Sequence, residues 1–114
     1  MPKKTAEYER YIVNITQNAE NDLNEIIMFI ANNNPQNAVK IMERIQAKIS
    51  TLNRFPNKGP YVPELLKRNI KQYRQIIEHP WKIIYRVDDR IVNILAIIDS
   101  RRNLQDILIK KLLK

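Results

Sequence analysis

The feature that most constrains the fold of this sequence is residues 72–102, QYRQIIEHPWKIIYRVDDRIVNILAIIDSRR. Short runs rich in isoleucine, valine and aromatic residues alternate there with turn-forming residues, a pattern typical of β-strands. The runs fall at residues 73–77, 81–87 and 91–98. The segments between them, Glu78-His79-Pro80 and Asp88-Asp89-Arg90, are short enough for tight turns. The sequence therefore predicts two hairpins in an antiparallel meander.

The second and third runs differ in how their apolar residues are distributed. Successive side chains of a strand point to opposite faces. In the second run, one face carries Trp81, Ile83, Tyr85 and Val87, and the other carries Lys82, Ile84 and Arg86. One face of this strand therefore requires a core, and the other is charged. The third run is apolar on both faces, with Val92, Ile94, Ala96 and Ile98 on one of them. Such a strand belongs at the centre of a sheet that is covered on both sides.

The chain before this stretch predicts one strand and two helices. Residues 1–7 have the polar character of a mobile terminus. Alternating apolar side chains predict a strand over residues 10–15. Two segments with apolar residues at helical spacing follow, and Asn34 with Pro35 marks the start of the second helix. We expect the two helices, within residues 19–52, to pair as an antiparallel hairpin that lies on the sheet.

The remaining segments complete a single-domain fold. Residues 64–67 suggest one helical turn, and Asn103 starts a short amphipathic C-terminal helix. The element order is β-α-α-β-β-β-α. This order predicts an α+β domain over residues 1–114, in which a helical hairpin and a C-terminal helix pack on a small antiparallel-rich sheet.

Composition narrows the functional classes. The 114 residues include 20 lysines and arginines against 12 acidic residues, a net charge of +8 that would attract nucleic acid or an acidic protein. The absence of cysteine excludes disulfides and thiolate metal sites and agrees with a cytoplasmic location. No signal-peptide pattern is visible, and we interpret Asp88-Asp89 as a turn and not as a metal pair. We expect no metal, no cofactor and no membrane association.

Several of these features together are similar to a known family. Tyr73-Arg74, then Tyr85-Arg86-Val87, then Arg101-Arg102-Asn103-Leu104 occur in an order and spacing that resembles the RelE/ParE superfamily of bacterial and archaeal toxins. The helical segments fit this superfamily as well. The resemblance implies the same fold and the role of toxin in a type II toxin–antitoxin system. It also implies a cognate antitoxin with an acidic, partly disordered segment, in a heterotetramer or a larger complex.

Five cations are the candidate binding residues: Arg74, Lys82, Arg86, Arg101 and Arg102. Adjacent strands can bring several of them onto one concave surface, where guanidinium groups bind phosphates or carboxylates in a bidentate manner. The alternative is a solvated basic face that only keeps the protein soluble. We expect these residues to bind either the cellular target or the antitoxin.

The ribonuclease branch of the superfamily implies one mechanism. Cleavage of mRNA on the ribosome needs a base, an acid and a cation that faces the developing charge. Lys82 and Arg102 match cations of that branch, and His79 is the residue type suited to proton transfer, although it also fits a hairpin turn. Leu108, however, occupies the place where RelE-type ribonucleases often carry a tyrosine.

The sequence is therefore more similar to the ParE branch, whose members poison DNA gyrase through protein contacts. The long helical hairpin also suits that branch. We predict a toxin that inhibits DNA gyrase. The alternative is a RelE-like endoribonuclease that acts on the ribosome and mRNA, with Lys82, Arg102 and His79 as its catalytic residues.

Overall fold

A four-stranded mixed sheet forms the centre of a computed structural model that describes residues 10–112. Its strands are β1 (Ile12–Ile15), β2 (Arg74–Glu78), β3 (Trp81–Asp88) and β4 (Ile91–Asp99), in the spatial order β1-β4-β3-β2. β1 is parallel to β4, and the other pairs are antiparallel. The predicted meander is confirmed, and β4 has a neighbour on each side. The terminus predicted over residues 1–7 lies outside the described residues.

A helical hairpin covers one face of the sheet, as predicted. It consists of α1 (Gln17–Ala31) and α2 (Pro35–Ser50), and a 3-10 turn, Thr51–Asn53, follows it. The Thr16 side chain accepts a hydrogen bond from the backbone at the start of α1, and the Asn34 side chain does the same for α2. These caps fix where each helix begins. The buried stripe of the hairpin comprises Ala19, Leu23, Ala38, Ile41, Ile45 and Ile49.

The sheet has a hydrophobic core on each face. The first core lies under the helical hairpin and includes Ile45, Leu52, Trp81, Ile83, Tyr85 and Ile94. The second lies under α3 (Pro63–Leu66) and α4 (Leu104–Leu112) and includes Leu65, Tyr73, Ile84, Ile98, Leu104 and Leu108. The predicted charged face of β3 is therefore largely covered. Ile84 is fully buried there, and Lys82 and Arg86 flank it along the strand.

A β-bulge interrupts the regular alternation of β4. Neighbouring residues of β3 pair with Ile94 and Ala96, so that Leu95 has no partner on β3. The extra residue reverses which face the following side chains occupy. Val92 and Ile94 join the core under the hairpin, whereas Ala96 and Ile98 join the second core. The prediction that these four residues share one face was wrong, because it assumed unbroken alternation.

Gly59, in the loop between α2 and α3, lies against the sheet. Its N–H donates a hydrogen bond of 3.1 Å to the Tyr85 hydroxyl oxygen. A Cβ atom at this position would lie 2.2 Å from the Gln75 backbone oxygen and 2.8 Å from the Tyr85 hydroxyl oxygen. Only glycine allows this approach. The contact keeps the loop on β2, where the Pro60 carbonyl oxygen accepts a hydrogen bond from the Gln75 N–H.

We therefore expect Gly59→Ala to lower the free energy of unfolding by about 1–3 kcal/mol, since the added methyl group forces the loop off the sheet. Urea denaturation followed by circular dichroism measures this change. Lys58→Ala is the matched control, because Lys58 is exposed and such surface changes stay within about 0.5 kcal/mol. Equal stability of Gly59→Ala and the unaltered protein would contradict the described loop contact.

Candidate functional site

A groove of about 830 Å³ opens between the helical hairpin and one end of the sheet. Its lining is mainly apolar and includes Ile26, Phe29, Ile41, Trp81, Ile97 and Ile107. The Phe29 side chain is 73% exposed, and Met28 beside it is 69% exposed. Large apolar side chains that stay in water beside a concave surface are typical of sites that bind another molecule. This groove is the first candidate binding surface.

Two polar side chains of α1, Asn18 and Asp22, bind the backbone of β4, and Asp22 also lines the groove. They complete the edge of β4 beyond the point where β1 ends. Asn18 Nδ2 donates to the Leu95 carbonyl oxygen over 2.7 Å, and Asp22 accepts the Ile97 N–H over 3.0 Å. Lys111 Nζ, on α4, lies 2.7 Å from the other Asp22 carboxylate oxygen. The hairpin and α4 are therefore both tied to β4 beside the groove.

Two of the predicted cations, Arg101 and Arg102, also line the groove. The Arg101 guanidinium donates two hydrogen bonds to Asp99, of 2.9 and 2.6 Å. These bonds, together with the Arg101 backbone N–H, lower the pKa of Asp99 to about 2. The exposed Arg102 side chain has no hydrogen-bond partner within residues 10–112. Arg102 is thus the arginine of the groove whose charge is available to a ligand.

A second depression, of about 430 Å³, lies at the other end of β3. Arg74 and Arg86 line it together with Lys71. Arg74 Nη1 donates a 2.8 Å hydrogen bond to the Gly59 carbonyl oxygen. Arg86 Nε donates a 3.0 Å hydrogen bond to Asp88, which lowers the pKa of that carboxyl group. The sequence predicted Arg74 and Arg86 as binding residues, and the structure brings these two together.

Lys82 lines neither the groove nor the second depression, and it forms an ion pair of its own. Its Nζ lies 3.3 Å from a carboxylate oxygen of Glu64 on α3. The Lys82 side chain is only 14% exposed. The neighbouring carboxylate compensates most of the lysine charge and holds the ammonium group at the margin of the second core.

His79, the residue predicted for proton transfer, lies apart from Tyr85 and Leu108. His79 is exposed in the turn between β2 and β3, and its ring makes no hydrogen bond within the described part of the chain. Tyr85 is fully buried, and burial raises the pKa of its hydroxyl group. Leu108 is fully buried in the second core. No contact in the structure joins His79 to Lys82 or Arg102 within residues 10–112.

The predicted cations thus lie in three places. Arg101 and Arg102 line the groove, Arg74 and Arg86 line the second depression, and Lys82 is paired with Glu64 outside both. Sequence reasoning missed Phe29 and Lys71, although each gave a signal. Phe29 is a large apolar residue outside the predicted apolar stripe of its helix, and Lys71 comes directly before the meander.

Among residues 10–112 there is no group of three side chains that could hold a metal ion. No helix in that range has the length and apolar character needed to cross a membrane.

Two solved structures have a similar fold. A chain of the chromosomal ParDE toxin–antitoxin system from P. aeruginosa is 22% identical, with a TM-score of 0.67, and the match covers 80% of this chain and 97% of that one. A chain of the toxin–antitoxin complex RelBE2 from Mycobacterium tuberculosis is 20% identical, with a TM-score of 0.54, and the match covers 79% and 98%. These likenesses define the class as the RelE/ParE-like fold, which the sequence predicted.

The sequence itself gives the family. The family profile described as ParE toxin of type II toxin-antitoxin system, parDE, matches residues 13–104. The chain therefore belongs to the ParE toxin family of type II toxin–antitoxin systems. This finding confirms the predicted resemblance to the ParE branch. A comparison with curated proteins gave no match.

The ion pair between Asp99 and Arg101 gives a testable result. Arg101→Ala should raise the pKa of Asp99 from about 2 part of the way toward 3.8, since the Arg101 backbone N–H still donates to the carboxylate. An NMR titration of the side-chain carboxyl carbon measures this. A carboxyl group with a lowered pKa stabilises the fold above its unfolded pKa and loses that effect as the pH falls through the folded value. The variant should therefore lose less stability between pH 3.8 and 2.

Arg102→Ala is the matched control for this titration. The Arg102 side chain acts on the Asp99 carboxylate only through its charge, and the Arg102 backbone N–H donates to the Asp99 carbonyl oxygen, which the substitution leaves in place. The pKa of Asp99 should therefore move less than in Arg101→Ala. Equal pKa values in all three proteins would contradict the described pair.

Proposed function

We propose that residues 1–114 act as one toxin domain that inhibits DNA gyrase through protein contacts in the cytoplasm. Membership of the ParE toxin family supports the role of toxin. The observation that favours gyrase inhibition over mRNA cleavage is the environment of Lys82. Its side chain is largely buried and forms an ion pair with Glu64. A lysine in that state is poorly placed to face a scissile phosphate.

The alternative is ribosome-dependent mRNA cleavage. The positions at which this chain was compared with the ribonuclease branch do not support it. Leu108 cannot transfer a proton and is buried. Arg102 is exposed at the groove, whereas Lys82 contacts α3 on the face of the second core. The reaction needs a base, an acid and a cation around one phosphate, and these residues do not form such a set in the described part of the chain.

We assign the groove to the antitoxin. The two solved structures described above belong to toxin–antitoxin systems. The apolar lining around Phe29 suits apolar side chains of a protein segment, and the exposed guanidinium of Arg102 suits an acidic residue of that segment. The net charge of +8 favours an acidic partner in the same way. A segment that folds as it binds would fill this surface.

The target can be tested with one preparation of the protein in two assays. We expect inhibition of gyrase supercoiling together with stabilised DNA cleavage, and no codon-positioned cuts in mRNA on programmed ribosomes. Heat-inactivated protein serves as the control in both assays. Cuts in mRNA that disappear in Arg102→Ala, without any effect on gyrase, would overturn the proposal in favour of the ribonuclease.

The groove can be tested with the cognate antitoxin. Phe29→Ser and Arg102→Glu should each raise the Kd of the complex at least tenfold, which corresponds to about 1.4 kcal/mol, because each removes one of the two features that suit the segment. Isothermal titration calorimetry measures these values. Asn24→Ser on α1 and Lys40→Glu on α2 are matched controls at exposed positions outside the groove and should stay within about twofold. Equal losses in variants and controls would place the antitoxin elsewhere.

A further inference from the structure

We propose that the depression at the Asp88 end of β3 binds phosphate groups of a nucleic-acid strand. The proposal goes beyond gyrase inhibition, since it concerns a surface other than the groove. The depression holds three cations, Lys71, Arg74 and Arg86, against one carboxylate, that of Asp88, which gives a net charge of +2. A positive concave surface of this size can accept a phosphodiester group together with a neighbouring sugar.

Arg74 is held in a fixed orientation. Its guanidinium carbon lies 4.4 Å from the centroid of the Tyr61 ring, and one Nη group donates to the Gly59 carbonyl oxygen. Its Nε and second Nη groups have no hydrogen-bond partner within residues 10–112. An arginine that the protein already orders loses little side-chain entropy when it binds a phosphate.

Arg86 reaches the same depression from the adjacent strand. Arg74 pairs with Tyr85 across the two strands, so that Arg86, the next residue of β3, points to the opposite face, and both arginines line the depression at the end of the sheet. The hydrogen bond to Asp88 uses the Nε group of Arg86. The same carboxylate oxygen also accepts a hydrogen bond of 3.0 Å from Asn93. Asp88 is therefore engaged in orienting Arg86, whose guanidinium carbon also lies 5.9 Å from the centroid of the Tyr73 ring.

Lys71 adds a mobile charge beside these two ordered arginines. It is exposed and has no ion-pair or hydrogen-bond partner in residues 10–112. Arginine supplies directed donors and lysine supplies a point charge, and phosphate sites commonly use both. The arrangement thus provides donors from Lys71 and Arg74 that no carboxylate neutralises within residues 10–112, and Arg86 adds a guanidinium that Asp88 holds in place.

The lining of this depression favours nucleic acid over a protein partner. Protein interfaces are anchored by apolar side chains that enter pockets. Here Val87 is the only aliphatic residue of the lining, in contrast to the groove. Interfaces with nucleic acid are polar and strongly positive, and contacts to phosphate dominate their affinity. The exposed part of Tyr61 adds a ring against which a base or a sugar can pack.

The test uses the purified full chain and fluorescently labelled oligonucleotides of about 20 nucleotides, as single-stranded DNA, single-stranded RNA and duplex DNA. Fluorescence anisotropy measures the Kd at several salt concentrations. We expect at least one of the three to bind with an affinity that falls as salt rises. Lys71→Gln and Arg86→Gln should each weaken that binding about threefold to tenfold and reduce the slope of log K against log salt by about 1.

Lys40→Gln is the matched control, because it removes one charge from an exposed position on α2 outside both surfaces. It should change the Kd less than twofold. Thermal unfolding of each variant checks that the fold is intact, and Lys71→Gln serves where Arg86→Gln is unstable, since Lys71 makes no internal contact. A polyglutamate peptide serves as the competing acidic probe and should bind more weakly than the oligonucleotides.

Three results would overturn the proposal: no binding of any oligonucleotide, an equal effect of Lys40→Gln and Lys71→Gln, or polyglutamate that binds as tightly and depends on Lys71 in the same way. Neither gyrase nor the ribosome is present in this assay. Its outcome is therefore independent of the test of the proposed function.

Discussion

Burial of β4 on both faces is the constraint on which the rest of the structure depends. The bulge at Leu95 lets one strand supply apolar side chains to the core under the hairpin and, further along, to the second core. Each core then needs its own cover, which the hairpin provides on one side and α3 with α4 on the other. β1 pairs only with residues 91–94, and side chains of α1 complete the remaining edge of β4.

This arrangement makes the two ends of the sheet chemically different. The groove lies at the end where Trp81 begins β3, and the basic depression lies where Asp88 ends it. Eight extended residues separate the two surfaces by roughly 20 Å. A segment that fills the groove therefore does not need to cover the depression. An apolar surface and a polar basic surface can thus serve two partners of different chemistry on one small domain.

The elements, the meander and the packing of the hairpin on the sheet were predictable from the sequence, but the side-chain contacts that decide the state of each cation were not. Periodicity gave the strands and helices, and Asn34 with Pro35 gave the start of α2. The alternation of apolar residues along β4 did not reveal the extra residue at Leu95. Because of this bulge, the side chains after Leu95 point to the opposite faces from those that regular alternation predicts. The pairing of Lys82 with Glu64 joins residues 18 positions apart, so that only the folded loop shows which cation is neutralised. The division of the predicted cations between two ends follows from strand register in the same way.

The same constraint bears on Lys82 and Leu108, two positions at which the sequence was compared with the ribonuclease branch. Lys82 and Leu108 both lie on the face of β4 and β3 that α3 and α4 cover. There, Leu108 adds an apolar side chain to the second core, and Lys82 holds α3 through Glu64. A polar tyrosine and an unpaired cation at these positions would keep that face open to a substrate and would leave β4 less well covered. In this chain the two positions support the fold, because one completes the second core and the other holds α3 against the sheet.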